Sequence, residues 1–182
     1  LVALASAVRD APRDEAAVST RTKEAIATCA KRVETWEEQI TKARESDAIS
    51  APLIAAELRD LLPPDAVFVD ESISNRPAFV NVLQFGDPNS YFAVNGLSLG
   101  YSTGAAVGIK MAQPDRRVVN VVGDGSLMYY PHALWNAATA NVPVLFLVLN
   151  NMSYRVLKII TSRMGGPWGS HEVPAPPGLD IN

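Results

Sequence analysis

The sequence predicts an α/β fold, a parallel sheet with helices on both faces. Three observations carry that prediction. From residue 50 onward, short runs rich in Val, Leu and Phe alternate with segments of helical spacing. The runs are rich in Val, Leu and Phe and do not alternate regularly with polar residues, as befits strands covered on both faces. Polar or glycine-rich turns follow them: Asp70-Glu71-Ser72, Gly123-Asp124-Gly125 and Asn150-Asn151. Hydrophobic residues make up 48% of the 182, enough to bury a core of this kind.

The elements follow in order. Residues 1–8 are apolar, but no basic segment precedes them as in a secretory leader, so residues 1–20 read as the end of an upstream domain. Arg21 to Glu45 is rich in Lys, Glu and Arg. Ala25, Cys29, Val33, Trp36 and Ile40 recur there at spacings of three or four, which predicts a solvated helix with one narrow apolar stripe. Residues 21–49 therefore read as a helical connector, and 50–182 as a domain continuing beyond the proline-rich stretch 174–178. Within it, Ser50 is the expected N-cap of a helix carrying Ile54, Leu58 and Leu61 and stopping at Pro63-Pro64. Strands are predicted at Ala66–Val69, Tyr91–Val94, Val118–Val122 and Val144–Leu149. Helices are predicted at Pro77–Phe85, Gly96–Ala112 and Pro131–Ala140.

Composition narrows the function classes. Sixteen Lys and Arg against 19 Asp and Glu leave a net charge of −3, without the basic excess of a nucleic-acid surface. The longest apolar run, 142–149, contains Pro143 and falls far short of the roughly 20 residues that span a bilayer. Cys29 is the single cysteine, which excludes an intrachain disulfide and a cysteine-built zinc site. A cytoplasmic protein without nucleic-acid or membrane partners is expected.

In open α/β sheets, ligands bind beyond the carboxyl ends of the strands. If the third and fourth strands lie side by side, Asp124 and Asn151 emerge on one rim. A carboxylate and an amide offer the hard oxygens Mg²⁺ prefers, and a backbone carbonyl near Ser153 adds a third. Phosphates of a ligand and water would complete the metal's shell. Gly123 and Gly125 let the backbone turn sharply and approach a phosphate.

Gly123-Asp124-Gly125, 24 residues and then Asn150-Asn151 resembles the signature of thiamine-diphosphate (ThDP)-dependent enzymes, within the decarboxylase and acetolactate-synthase group. Residues 133–138 (ALWNAA), 151–154 (NMSY) and 177–181 (PGLDI) are similar to the benzoylformate decarboxylase branch. The resemblance covers about residues 50–182, the pyrophosphate-binding domain. It implies ThDP and Mg²⁺ as cofactors, with Asp124 and Asn151 holding the metal by side-chain oxygens and Ser153 by its carbonyl. It further implies diphosphate contacts from Gly125, Ser126, Ser74 and Asn75, the last two in a loop after the first strand, with Tyr154 closing over. Leu99 falls where the family places a bulky apolar residue that bends the cofactor, and Leu97 where a backbone carbonyl meets the aminopyrimidine.

The implied activity is decarboxylation of a 2-oxo acid to an aldehyde. A carboligase of the acetolactate-synthase type is the alternative, and a non-catalytic module binding Mg²⁺ and another diphosphate is a second. The family's activating Glu comes from the pyrimidine-binding domain of another subunit, so a homodimer or homotetramer is implied; Glu71, at the diphosphate end, is not that residue. Leu99, where acetolactate synthases often carry Met, favours the decarboxylase.

Other residues have plainer readings. Gly100, Gly104 and Gly108 recur every four residues, which predicts a helix face packed tightly on a neighbour. Trp135 reads as core and His132 as surface. Tyr129 and Tyr130 divide between a substrate wall and the core, and His171 reads chiefly as a tail residue.

Overall fold

In a computed structural model, the structure describes residues 2–93 and 98–164. Four parallel strands form one sheet in the order β2-β1-β3-β4: β1 Val67–Glu71, β2 Tyr91–Ala93, β3 Val118–Gly123 and β4 Leu145–Leu149. The eight helices among these residues are α1 Val2–Asp10, α2 Glu15–Arg44, α3 Ala51–Leu61, α4 Arg76–Leu83, α5 Tyr101–Ala112, α6 Asp124–Leu127, α7 His132–Thr139 and α8 Arg155–Arg163.

Alternate residues of the strands feed two cores, so the predicted two-sided α/β sheet is what forms. On one face Phe68, Val119 and Val121 pack against Ala55 and Leu58 of α3, Phe79 and Val82 of α4 and Ile40 of α2. On the other face Val67, Val69 and Val118 pack against Ala106 of α5. An all-parallel sheet needs cover on both sides, and these helices supply it.

Several expected boundaries move. The connector helix begins at Glu15, where the Asp14 side chain accepts the backbone N–H of Ala17 at 3.0 Å and caps it. Its stripe reaches the core only at its end: Ile40 is buried and Trp36 packs beside it, while Cys29 and Val33 are exposed. Arg59 of α3 donates to Glu37 at 2.6 Å and ties the two helices together. Ser50 does occupy the N-cap position of α3, but its hydroxyl makes no cap and is buried without a partner. Pro52 removes one of the N–H groups a cap would engage.

The first strand does not stop at the acidic pair but includes it, with Asp70 and Glu71 both 0% exposed. The helix predicted from Gly96 starts only at Tyr101, because Gly100 sits at φ 88° in the left-handed region. Val94 and residues 96–97, also assigned there from the sequence, lie outside the described residues.

The packing expectations come out unevenly: Trp135 is not core, the core alternative for Tyr129 and Tyr130 falls, and of the three glycines only Gly100 is packed among the described residues. Gly104 and Gly108 are exposed, and among the described residues a Cβ built at either meets nothing within 4 Å. Trp135 is 67% exposed, because Ala133 and Ala137, one turn apart, take the buried side of α7 and turn residue 135 outward. Tyr129 and Tyr130 are exposed as well, so neither is core.

Candidate functional site

The carboxyl ends of β1, β3 and β4 are adjacent in the sheet, and a cleft opens beyond them. The condition set by the sequence is met, since β3 pairs with β4 in a register that puts Gly123 opposite Leu149. Asp124 and Asn150-Asn151 therefore leave the sheet side by side.

The loop after β1 forms one wall. Ser72 donates its N–H and hydroxyl to Asp70 Oδ1 at 2.7 and 2.6 Å, which turns the chain back immediately. Ile73 takes the left-handed conformation at φ 44°, and the Asn75 N–H closes on the Ser72 carbonyl at 3.1 Å. Arg76 Nε and the Tyr91 hydroxyl donate to Asp70 Oδ2 at 3.2 and 2.6 Å. Ser74 and Asn75 are thereby presented to the cleft by a buried carboxylate with four donors. Burial, and then the carboxylate of Asp70, push the Tyr91 phenol well above the usual tyrosine range.

The second wall is the turn from β3 into α6. Asp124 is the first residue of that four-residue helix and is 3% exposed, and its Oδ2 is buried without a hydrogen-bond partner among the described residues. An orphaned buried carboxylate oxygen is costly unless a cation or donor satisfies it. Gly125 follows, and a Cβ there would stand 2.5 Å from Tyr154 Cε1, so only glycine lets the tyrosine ring lie across the turn.

The third wall follows β4. The Oδ1 atoms of Asn150 and Asn151 accept the N–H groups of Met152 and Ser153 at 3.1 and 2.9 Å, with Met152 at φ 49°. The Ser153 carbonyl accepts the Arg155 N–H at 2.9 Å. Each of these oxygens keeps a second lone pair.

The cleft brings together Ser74, Asn75, Gly123, Asp124, Gly125, Ser126, Asn151, Ser153 and Tyr154, nine of the positions singled out from the sequence. Leu99 does not line it. Leu99 is half-buried in the turn before α5, where Tyr129 and Tyr130 press on Gly100. Leu97, His171 and residues 177–181 lie outside the described residues. His132 is exposed, its ring edge-on to Tyr130 at 5.5 Å.

Sequence reasoning missed Arg155 and Val156, which line the cleft from the start of α8. The signal was Val156, Ile159 and Ile160 at helical spacing. It missed also that Glu71 accepts the N–H groups of Gly100 and Ser102, at 2.6 and 2.8 Å.

The donor set suits a magnesium diphosphate. Among the described residues no cluster of three His, Cys, Asp or Glu side chains could hold a metal. One buried carboxylate with amide and carbonyl oxygens leaves room for phosphate oxygens in an octahedral shell.

The sequence matches the family described as thiamine pyrophosphate enzyme, C-terminal TPP binding domain, over residues 74–177. It is 42% identical over 121 residues to a benzoylformate decarboxylase of Pseudomonas aeruginosa, covering 66% of this chain and 22% of that one. To acetolactate synthase isozyme 2 large subunit of Escherichia coli it is 30% identical over 106 residues, 58% of this chain and 19% of the other. Among solved structures, a thiamine diphosphate-dependent 4-hydroxybenzoylformate decarboxylase from Rhodococcus jostii superposes with a TM-score of 0.63 at 33% identity, over 75% of this chain and 26% of that one. A benzoylformate decarboxylase from Polynucleobacter necessarius gives 0.68 at 25% identity, over 76% and 26%. The chain thus spans about a quarter of the length of the proteins it matches.

Proposed function

Because the chain belongs to the thiamine pyrophosphate enzymes, as their C-terminal TPP-binding domain, we propose that the protein carrying it decarboxylates a 2-oxo acid to an aldehyde with ThDP and Mg²⁺. The observation that carries the cofactor reading is the unpartnered Asp124 Oδ2, buried at the rim beside Asn151, Ser153 and the Tyr154-covered Gly125. Asp124 supplies the anionic ligand to the metal, Asn151 a side-chain oxygen and Ser153 its carbonyl. Ser74, Asn75, Gly125 and Ser126 bind the diphosphate, and Tyr154 shields it from water. Leu99 supports the rings, and Leu97 offers its carbonyl to the pyrimidine. Bound ThDP supplies the electron sink into which the bond to the departing carboxylate breaks.

The similarity to benzoylformate decarboxylases supports a substrate of the arylglyoxylate kind. The pyrimidine-binding domain of another subunit completes the site in a cytoplasmic homodimer or homotetramer. We assign residues 50–182 to the pyrophosphate-binding domain, 21–49 to a connector and 1–20 to the domain before it. The similarity to an acetolactate synthase favours, as the second reading, a carboligase that joins two carbonyl compounds.

Incubation of the protein that carries this chain with a panel of 2-oxo acids tests the choice. Aldehyde and carbon dioxide in equal amounts are expected, with benzoylformate the fastest substrate. Acetolactate without aldehyde would make it a carboligase. Thermal stabilisation by ADP with Mg²⁺, and none by ThDP with Mg²⁺, would leave only a different diphosphate-binding module.

A further inference from the structure

Two neighbouring carboxylates end β1, and neither is among the residues proposed to touch the cofactor. Consecutive strand residues point to opposite faces of a sheet, so Asp70 and Glu71 diverge. Both are 0% exposed, where a charge persists only if its oxygens are satisfied. Asp70 is satisfied on one face by Ser72, Arg76 and Tyr91, all of them around the loop that presents Ser74 and Asn75. Among the described residues Glu71 is satisfied on the other face by backbone: Gly100 N–H to Oε1 at 2.6 Å and Ser102 N–H to Oε2 at 2.8 Å.

Those two N–H groups are among the donors that the start of α5 leaves without intrahelical acceptors. The N-cap residue of α5 is Gly100, which has no side chain to cap them. A carboxylate from β1, 29 residues upstream of Gly100, does it instead, at the helix end where the backbone dipoles favour negative charge. The turn is gripped from its other side as well. Gly100 holds φ 88°, and a Cβ there would stand 2.7 Å from Tyr129 Cβ and overlap the Tyr130 ring. Leu99 precedes this residue directly, so among the described residues the Glu71 carboxylate and the two tyrosines hold the turn it leads into.

We propose that Glu71 is a positioning residue: through Gly100 and Ser102 it sets the turn that carries Leu99, while Asp70 independently sets the loop that carries Ser74 and Asn75. Two adjacent residues at the carboxyl end of one strand thus fix the turn before α5 and the loop after β1 separately, with Glu71 also bordering the cleft. The inference rests on the reading that Leu99 supports the ThDP rings, and it adds which residue holds Leu99 in place.

The test compares Glu71→Gln with Asp70→Asn in the full protein that carries this chain, with three readouts. Backbone hydrogen–deuterium exchange reads the two segments directly, ThDP titration with Mg²⁺ reads affinity, and turnover per bound cofactor reads the ring side. Glu71→Gln should speed exchange in residues 98–103 by about tenfold or more, the loss of a charge-assisted pair of hydrogen bonds, and leave residues 72–76 unchanged. Turnover per bound ThDP should fall by about tenfold, with affinity held within about threefold. Asp70→Asn should do the reverse: faster exchange in 72–76, ThDP affinity lower by about tenfold and turnover per bound cofactor near normal. Should Glu71→Gln fail to accumulate folded, Glu71→Asp, which keeps the charge but is one methylene short, carries the same test. Exchange rising equally in both segments, or affinity falling with normal turnover in the Glu71 variant, would overturn the inference. A parent protein that binds no ThDP would instead overturn the functional reading, while the exchange pattern still judges whether the two carboxylates act separately.

Discussion

At Gly125 the Tyr154 ring fills the space a side chain would need, so Gly125→Ala must push that ring off the turn. The variant should fold and bind ThDP at least about tenfold more weakly, read by titration calorimetry, because a displaced aromatic cover readmits water. Gly100→Ala is a different case. Its φ of 88° strains any other residue and its Cβ would overlap Tyr130, so a loss of roughly 1–3 kcal/mol in chemical denaturation is expected. Tyr91 gives the site a pH signature. Its phenol is held neutral by burial and by its hydrogen bond to Asp70, so its ionisation lies above the usual tyrosine range. The raised pKa means that its contribution is fully present below pH of about 10, where an unfolded tyrosine ionises, and is lost as pH rises beyond. Denaturation midpoints of the wild type should therefore fall more steeply above that pH than those of Tyr91→Phe. Equal slopes would show that the phenol carries no such linkage.

Among the elements, α5 has the clearest functional consequence, because it begins just after Leu99. Leu99→Ala should lower turnover by about tenfold while ThDP affinity changes by no more than about threefold, since the residue lies apart from the cleft lined by Asp124 and Tyr154. Collapsed binding with normal turnover per bound cofactor would reduce Leu99 to packing. The strands were legible because Val67–Val69, Val118–Val122 and Leu145–Leu149 are rich in Val, Leu and Phe on both faces, broken only by Asn120. Their polar ends were not. Asp70 and Glu71 look like a turn in sequence, and nothing local reveals that donors 21 to 31 residues away help make them burial-competent. The four-residue α6 is too short to leave a period, and α8 was hidden behind the Asn-Asn turn. Trp135 was misplaced because size was weighed over angular position, while two alanines quietly take the buried face of α7.

For the whole molecule, the exposed surface matters most. Met111, Met128, Tyr129 and Trp135 are each at least half exposed, and among the described residues nothing packs on Gly104 and Gly108 of α5. Apolar area on this scale ordinarily meets a partner surface. The 182 residues expressed alone should thus release no carbon dioxide from a 2-oxo acid and should self-associate, measured by gas evolution and by sedimentation. Steady turnover near that of the parent protein would place the activating group inside this chain. The rim of the site was readable from sequence because sheet geometry converts two separate motifs, 24 residues apart, into neighbours once β3 and β4 pair. The turn carrying Leu99 was less so, because the start of α5 is capped by a carboxylate in another element and preceded by a left-handed glycine. The central claim is that the orphaned Asp124 carboxylate awaits the metal of a bound diphosphate, and calorimetric titration of ThDP with excess Mg²⁺ into the parent protein and its Asp124→Ala variant tests it most directly. The account predicts Mg²⁺-dependent binding that weakens by more than about a hundredfold in the variant, the loss of the one anionic ligand. Unchanged affinity in Asp124→Ala would contradict it.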